Sequence, residues 1–337
     1  MMNTEQLLQD PPVEEEIKEP TVAPEKEIVD NLDKPRDCDE LKPVASREQK
    51  AMMLTAVILP FVGVIIATIM LWQIGMVNWL YIGMVVGGWL ITTLGITIGF
   101  HRLCSHKAFD TYPWVRAMWT ALGTMSIEGA PLTWCAVHRR HHSHSDKEGD
   151  PHSPNLDGHG IKGMLKGLFH GQIGWLFTGY WSKPNYEKWI PDLLKDRMLV
   201  VMNNNYYLLV LLSLAIPTLL GFLIEGWFGA LLGFLWGGLV RVFITHHITW
   251  SINSVCHVFG KRDFKSSDHS TNNVICGILA CGEGWHNNHH AFPSSARHGL
   301  KWWQFDLSWL VIRCMEKVGL AWNVKVPSSH AIASKRI

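Results

Sequence analysis

Charge is what this 337-residue sequence lacks over long distances. Asp, Glu, Lys and Arg together make up only 18% of it, and from Ala51 to Phe100 there is no Asp, Glu, Lys, Arg or His. The formal net charge is +1, without the basic excess of a nucleic-acid binder, so no nucleic-acid partner is expected. The seven cysteines are scattered and contain no Cys-x-x-Cys pair. That spacing excludes a zinc ribbon, supplies no disulfide framework and fits a reducing compartment. Tryptophan, by contrast, is abundant, with 17 residues. Its ring is apolar while its N–H stays wet, which suits a lipid–water interface.

The uncharged run 51–100 is too long for one helical crossing: at the helical rise it spans roughly 75 Å, against a hydrocarbon core about 30 Å thick. It divides at "QIGMVN", where Gly75 and Asn78 supply turn residues. A second run, 206–240, contains one charge, Glu225 in "IEGW". Four spans are therefore expected, at about 51–74, 78–99, 206–224 and 227–247, arranged as two hairpins with Trp72, Trp79 and Trp227 at the outer turns. Neither run contains Lys or Arg. The excess of positive charge thus places the tail, the middle segment, the C-terminal segment and both termini in the cytoplasm. Residues 1–46 ("DPPVEEEIKEPTVAPEKE" and its flanks) are expected to be a disordered tail, 47–325 the membrane-bound domain and 326–337 a short C-terminal tail. The stretches "IKGMLKGLFHGQIGWLFTGYW" and "KWWQFDLSWLVIRCMEKVGLAW" are too interrupted to span and read as interfacial helices. "VICGILACGEGW" is too short to cross.

Eighteen histidines stand out against this background. Six form two triplets of identical spacing: His138, His141 and His142 in "HRRHH", and His286, His289 and His290 in "HNNHH". Positions i, i+3 and i+4 share a helix face, so each triplet presents three imidazoles in one direction. Three cationic imidazoles on one face repel; neutral ones gathered around a metal ion gain coordination. A third group, "HRLCSH", supplies His101 and His106. Five residues turn a regular helix about 140° past a full turn. These two would therefore reach different metals, or the helix ends between them. So many ligands exceed the needs of one ion, and imidazole suits iron, copper, nickel and zinc alike. The groups lie at the cytosolic ends of the spans, as do His246, His247 and His257. A conducting pathway needs ionisable groups at membrane depth, so a site capping a bundle is expected rather than a transporter or metal-storage protein.

In that order, and flanked by paired hydrophobic hairpins, "HRLCSH", "HRRHHSHSDKEGDPHSPN", "NSVCH" and "GEGWHNNHHAFP" resemble the membrane-bound fatty acid desaturases, particularly the bacterial delta-9-type acyl desaturases and the stearoyl-CoA desaturases. The three boxes alone also fit membrane di-iron hydroxylases of alkyl or lipid chains, whereas "GEGWHNNHH" and "DPH" are desaturase-like. The resemblance implies an all-α integral membrane protein with four transmembrane helices in two hairpins and a cytosolic helical cap. That cap holds two non-haem irons on His101, His106, His138, His141, His142, His257, His286, His289 and His290, with Asn253 approaching one iron through water. Asp146, Asp150 and Glu283 are candidate acceptors behind ligand imidazoles.

The implied reaction removes two hydrogens from adjacent methylenes of a saturated acyl chain, leaving a cis double bond, with dioxygen as co-substrate. Trp134, Thr249 and Trp250 match residues at the bend of the family's acyl tunnel. Electrons are expected from a separate ferredoxin-like or b-type cytochrome donor and its reductase, since no haem-binding "HPGG" is present. The acyl carrier is a thioester or a lipid. Animal acyl-CoA enzymes contact their carrier through an Arg–Asp pair that is Ala136–Val137 here, and through a His that is Gln172 here. Arg102, Lys107, Arg139 and Arg140 remain as head-group candidates. The expected location is a bacterial inner membrane.

Overall fold

The computed structural model describes residues 44–74, 78–182 and 186–337. The tail expected over 1–46 lies outside the described residues up to residue 43. The first helix, α1, runs Arg47–Ile74. Ser46 and Gln49 close its start reciprocally: Gln49 N–H donates to Ser46 Oγ (3.2 Å) and Ser46 N–H to Gln49 Oε1 (2.8 Å). Helix α2 is Trp79–Leu94, begun by Asn78, whose side chain accepts from Leu80 N–H. It continues without a break into a wider, π-type winding over Gly95–Ser105. Helices α3 (Pro113–Thr124) and α4 (Pro131–His144) each start on a proline, which has no N–H to leave unpaired there. Helix α5 is Gly160–Gln172, α6 is Arg197–Asn204 and α7 is Tyr206–Leu232. After a second wide segment, Gly233–Val240, comes α8, Arg241–Asn253. Short helices α9 (Val274–Leu279) and α10 (His286–Ala291), then α11 (Leu307–Lys317) and α12 (Ser329–Lys335), complete the chain. Two residue pairs form a small antiparallel ladder, β1 (Asp110–Thr111) against β2 (Ala321–Trp322).

Among the described residues, three helices are long and apolar enough to cross a membrane: 47–73, 79–105 and a continuous stretch 206–257. The third is reversed within itself. Glu225 and Gly226 leave helical geometry, and Gly226 takes φ 63°, which costs a glycine nothing. The two arms then run so close that a Cβ on Gly221 would lie 2.0 Å from Gly229 O, and one on Gly233 2.1 Å from Pro217 O. Only glycine permits that approach. Glu225 joins the two outer turns: Asn78 Nδ2 donates to one of its oxygens at 3.0 Å and Tyr81 Oη to the other at 2.5 Å. Arg241 is a second charge among the apolar arms. It is 2% exposed and donates to Met125 O (2.9 Å), to Ser213 Oγ (2.7 Å) and O, and to Gly237 O. It thereby holds the turn after α3 against α7.

Ile65, Ile69, Leu219 and Leu223 point outward from these helices, an apolar exterior unsuited to water. Helix α5 shows the same asymmetry: Ile161, Leu165 and Phe169 are exposed, while Gly163, Gly167 and Gly171 are buried against the chain. The C-terminal residues expected as a tail include α12, whose Ala331 and Ile332 pack on Phe264 and Phe292. Replacing Glu225 by Ala removes the acceptor shared by both outer turns. We expect a stability loss of about 2 kcal/mol, with Glu225→Gln costing less, measured by thermal unfolding in detergent.

Candidate metal centre

Four elements deliver the nine expected imidazoles to one place, in two groups: the π-wound segment and the residue that caps it, α4, the turn Val255–His257, and α10. His101, His106, His138, His142 and His289 form the first, and His141, His257, His286 and His290 the second. Within each group the nitrogens lie within 4.8 Å of one another. Nε2 faces Nε2 at 3.0 Å for His101–His289, 2.8 Å for His106–His138, 2.9 Å for His142–His289 and 3.0 Å for His257–His286. The groups adjoin: the rings of His142 and His290 stack at 4.5 Å. The i, i+3, i+4 triplets do not each serve one group. Helix α4 sends His138 and His142 to the first and His141 to the second, and α10 sends His289 to the first and the other two to the second.

Of the two alternatives for His101 and His106, different metals or a helix that ends between them, the structure departs from the first and agrees with the second, the helix ending at Ser105. Both belong to the first group, with ring centroids 4.9 Å apart. The cause is the π-type winding: His106 N–H bonds to His101 O, five residues back, so residues five apart come to one side.

Burial, then the neighbouring imidazoles, push His106, His138, His142, His286 and His289 well below the usual histidine range. These rings are neutral, with lone pairs free to bind a cation. Four rings of the nine are fixed from behind, Nδ1 facing a carboxylate: His101–Glu283 2.6 Å, His141–Asp150 3.0 Å, His257–Asp146 2.8 Å and His290–Asp268 2.6 Å. A proton on Nδ1 leaves the Nε2 lone pair facing inward, the tautomer a metal requires. At His141, burial opposes the cation but Asp150 outweighs it and raises the ring's affinity for a proton. In return Asp150 is held down at about 2 despite its burial, and Glu283, beside Arg102 and His101, lies well below the carboxylate range. Converging neutral imidazoles backed by ionised carboxylates suit divalent metal ions, two groups for two ions.

Asp146, Asp150 and Glu283 sit where the sequence placed them as acceptors. Asp268 was missed: it stands alone in "KSSDHS", 22 residues before His290, without spacing to mark it. His298 and His152 match none of the expected ligand positions but adjoin the groups. The His298 ring lies tilted against His289, centroids 4.5 Å apart, and His152 tilted against His141 at 4.3 Å.

Three of the four head-group candidates are engaged within the protein. Arg102 is fully buried and donates to Glu283, Asp306, Ala296 O and Thr97 O. Arg139 binds Asp192 (2.6 Å) and the carbonyls of Cys104 and Ser105 that end the π-wound segment. Arg140 donates to Gly149 O and lies over the Tyr180 ring. Lys107 alone stays on the surface, paired with Asp192 at 2.6 Å. Three of the four are fasteners of the centre, because a guanidinium's five donors satisfy several carbonyls at once.

A cavity of about 830 Å³ reaches the first group at His138. Trp134, Thr249, Trp250 and Asn253 all line it, as does Glu128. Trp134 stacks on His138 at 5.1 Å, and its Nε1 faces Glu128 Oε2 at 3.4 Å. Asn253 closes α8 one turn before His257. Glu128 was missed, although it is the only acid between Asp110 and Asp146.

With this geometry in view, comparison with known proteins is decisive. The fatty acid desaturase family model matches residues 78–324. The chain belongs to the fatty acid desaturase family. It is 43% identical over 283 residues to a hex-5-enoyl-(acyl-carrier protein) acetylenase of Moorena producens, covering 83% of this chain and 87% of that one. It is 38% identical to an sn-1 stearoyl-lipid 9-desaturase of Anabaena variabilis, over 71% of this chain and 81% of that one. A delta-9 acyl-lipid desaturase of Arabidopsis thaliana is 39% identical over 70% of this chain and 72% of its own length. The desaturase is thus an oxidoreductase by family, and its histidine groups could hold metal ions.

Two predictions follow from the desaturase's polar groups. Asp268→Asn removes the charge behind His290, and the purified protein should hold its metal about 10–100-fold less tightly, read by competition with a chelator. Burial pushes the Glu128 carboxyl from an ordinary 4.5 up to about 8, with Thr249 and Trp134 opposing it. Between those values the folded state keeps a proton that the unfolded chain has released. Stability contributed by this group is complete below the lower value and falls as pH rises through the window. Glu128→Gln should flatten that decline in melting temperature between about pH 4.5 and pH 8.

Proposed function

We propose that this chain carries out the dioxygen-dependent desaturation of a saturated fatty acyl chain to a cis-monounsaturated one. The observation that carries the reading is the division of nine buried or half-buried imidazoles into adjoining groups of five and four, at the wall of a largely apolar cavity through Trp134 and His138. Two non-haem irons would sit in these groups, held by His101, His106, His138, His142 and His289 on one side and His141, His257, His286 and His290 on the other. Asn253 would approach one iron through water. The irons would supply oxidising power toward a C–H bond; the protein supplies geometry and dryness. Trp134, Thr249 and Trp250 hold the chain so that one pair of chemically equal methylenes faces the centre, since positioning is the only way to choose among them. Delta-9 is the favoured position, as two of the relatives are named for it.

Four crossings, two from the reversed stretch 206–257, would set the centre on the cytosolic side with both termini there, in a bacterial inner membrane. Outward apolar faces on α5 and around Trp302, which is 94% exposed, fit contact with the lipid interface. The two electrons per turnover beyond those of the substrate would come from a separate ferredoxin-like or b-type cytochrome donor.

Expression in a host without desaturases should yield alkenes with one dominant double-bond position in total fatty acids. His141→Ala should abolish them while the protein still reaches the membrane. An alcohol in place of the alkene would identify a hydroxylase, and full activity of His141→Ala would overturn the ligand assignment.

A further inference from the structure

Four of the nine imidazoles have a carboxylate behind them and five do not. Among those five, His286 and His289 keep a buried Nδ1 with no hydrogen-bond partner. A metal bound at Nε2 leaves the proton on Nδ1, and that N–H needs an acceptor. Beside His289 stands an imidazole that no ligand position claims. His298 is 1% exposed, and its ring centroid lies 4.5 Å from that of His289 and 5.3 Å from that of His101. Among the described side chains it is the one histidine with both ring nitrogens buried and unpaired.

Its backbone is pinned from two sides. His298 N–H donates to Asp306 Oδ2 at 2.7 Å, and Asn288 Nδ2 donates to His298 O at 2.8 Å. Asn288 lies on α10 immediately before His289, and Asp306 takes the Arg102 guanidinium that also binds Glu283. The ligand helix and the carboxylate network therefore both hold this loop against the first group. Packing alone does not account for the residue. A phenyl or isobutyl group would fill the space without two buried nitrogens, each of which costs free energy while unpaired. An imidazole is favourable there only when both nitrogens are used.

One nitrogen already has its partner in view. His298 Nδ1 is 3.5 Å from Glu283 Oε2, the oxygen that also faces His101 Nδ1 at 2.6 Å. That separation is the outer limit of a hydrogen bond, and closing it by about half an ångström makes an ordinary one. With the proton on Nδ1, His298 Nε2 carries a lone pair, while the neighbouring His289 ring presents an N–H. A single water satisfies both, accepting from His289 and donating to His298. Two polar partners are enough to hold a buried water.

We propose that His298 is a positioning residue of the first group: through one ordered water it joins His289 Nδ1–H to Glu283, so that a single carboxylate stands behind His101 directly and behind His289 at one remove. Three unpaired atoms, His289 Nδ1 and both nitrogens of His298, are thereby satisfied in one chain. The inference rests on the reading of the two groups as metal sites and is independent of the reaction.

The test reads metal, not product. Full-length protein, purified metal-free in detergent, is titrated anaerobically with cobalt(II) against a chelator, which gives the affinity of each ion. The visible absorption of the bound cobalt(II) reports its ligand field. His298→Leu and His298→Phe remove the nitrogens in two different shapes. Each should weaken one of the two ions about tenfold or more, shift that ion's absorption and leave the other ion unchanged. The metal-free melting temperature should change little, because no hydrogen bond of the ring is lost. His298→Gln, whose amide both donates and accepts, should recover most of the lost affinity. Apolar variants that bind both ions as the unsubstituted protein does, or a Gln variant no better than they are, would overturn the proposal. Equal loss of both ions together with a lower metal-free melting temperature would do the same, being the mark of a residue that only packs. Unsubstituted protein that takes up no cobalt(II) removes the metal reading of the groups, and the role of His298 with it.

Discussion

Nine imidazoles share a dry space only while every ring is neutral and every inward nitrogen offers a lone pair. Burial enforces the first condition at His106, His138, His142, His286, His289 and His290, and the carboxylates behind four of the rings enforce the second. Much of the surrounding architecture follows from meeting both. Asp146, Asp150, Asp268 and Glu283 must themselves be ionised in a buried place, so each is given further donors. Asp268 accepts from Ser266 and Ser270, and Asp146 from Ser153, Asn155 and the backbone of His269. Glu283 takes the Arg102 guanidinium, which in turn binds Asp306.

How much of this was legible in the sequence depended on the period of the element. The triplets on α4 and α10 obey ordinary helical spacing, and "HRRHH" and "HNNHH" could be read directly as two faces of ligands. The His101–His106 pair could not, because nothing in "GITIGFHRLCS" announces a wider winding. The tight contacts of Gly95 with Gly123, and of Gly99 with Trp119, are long-range facts that sequence spacing does not contain. The reversal at Glu225–Gly226 was legible, as a lone charge beside a glycine in an apolar run. That Glu225 would tie both outer turns together was not, since Asn78 and Tyr81 lie more than 140 residues away.

The arginines show a different limit. Arg102, Arg139 and Arg140 stand beside ligand histidines, and a cation beside a site looks like a hand for an anionic substrate. Each instead faces the interior, where backbone carbonyls at helix ends and buried carboxylates would otherwise lack donors. Burial decides between the two roles, and burial is invisible in a motif. Asp268 and Glu128 were overlooked for the converse reason: an isolated acid carries no pattern until the fold gives it a neighbour.

The centre and the cavity are cut from the same rigid pieces. Helix α4 carries Trp134 and, one turn on, His138; the two rings stack. Helix α8 carries Thr249, Trp250 and Asn253, and His257 follows one turn later. Arg241 anchors the start of α8 to the turn after α3, while Glu128 on the next turn meets Trp134. Cavity wall and imidazole group therefore cannot move independently. In a chain of equal methylenes no chemical difference marks the pair to be oxidised, and a wall shifted by one carbon along α4 or α8 would present a different pair. Placing the wall and the ligands on shared helices, rather than on loops, fixes that distance as tightly as helical geometry allows.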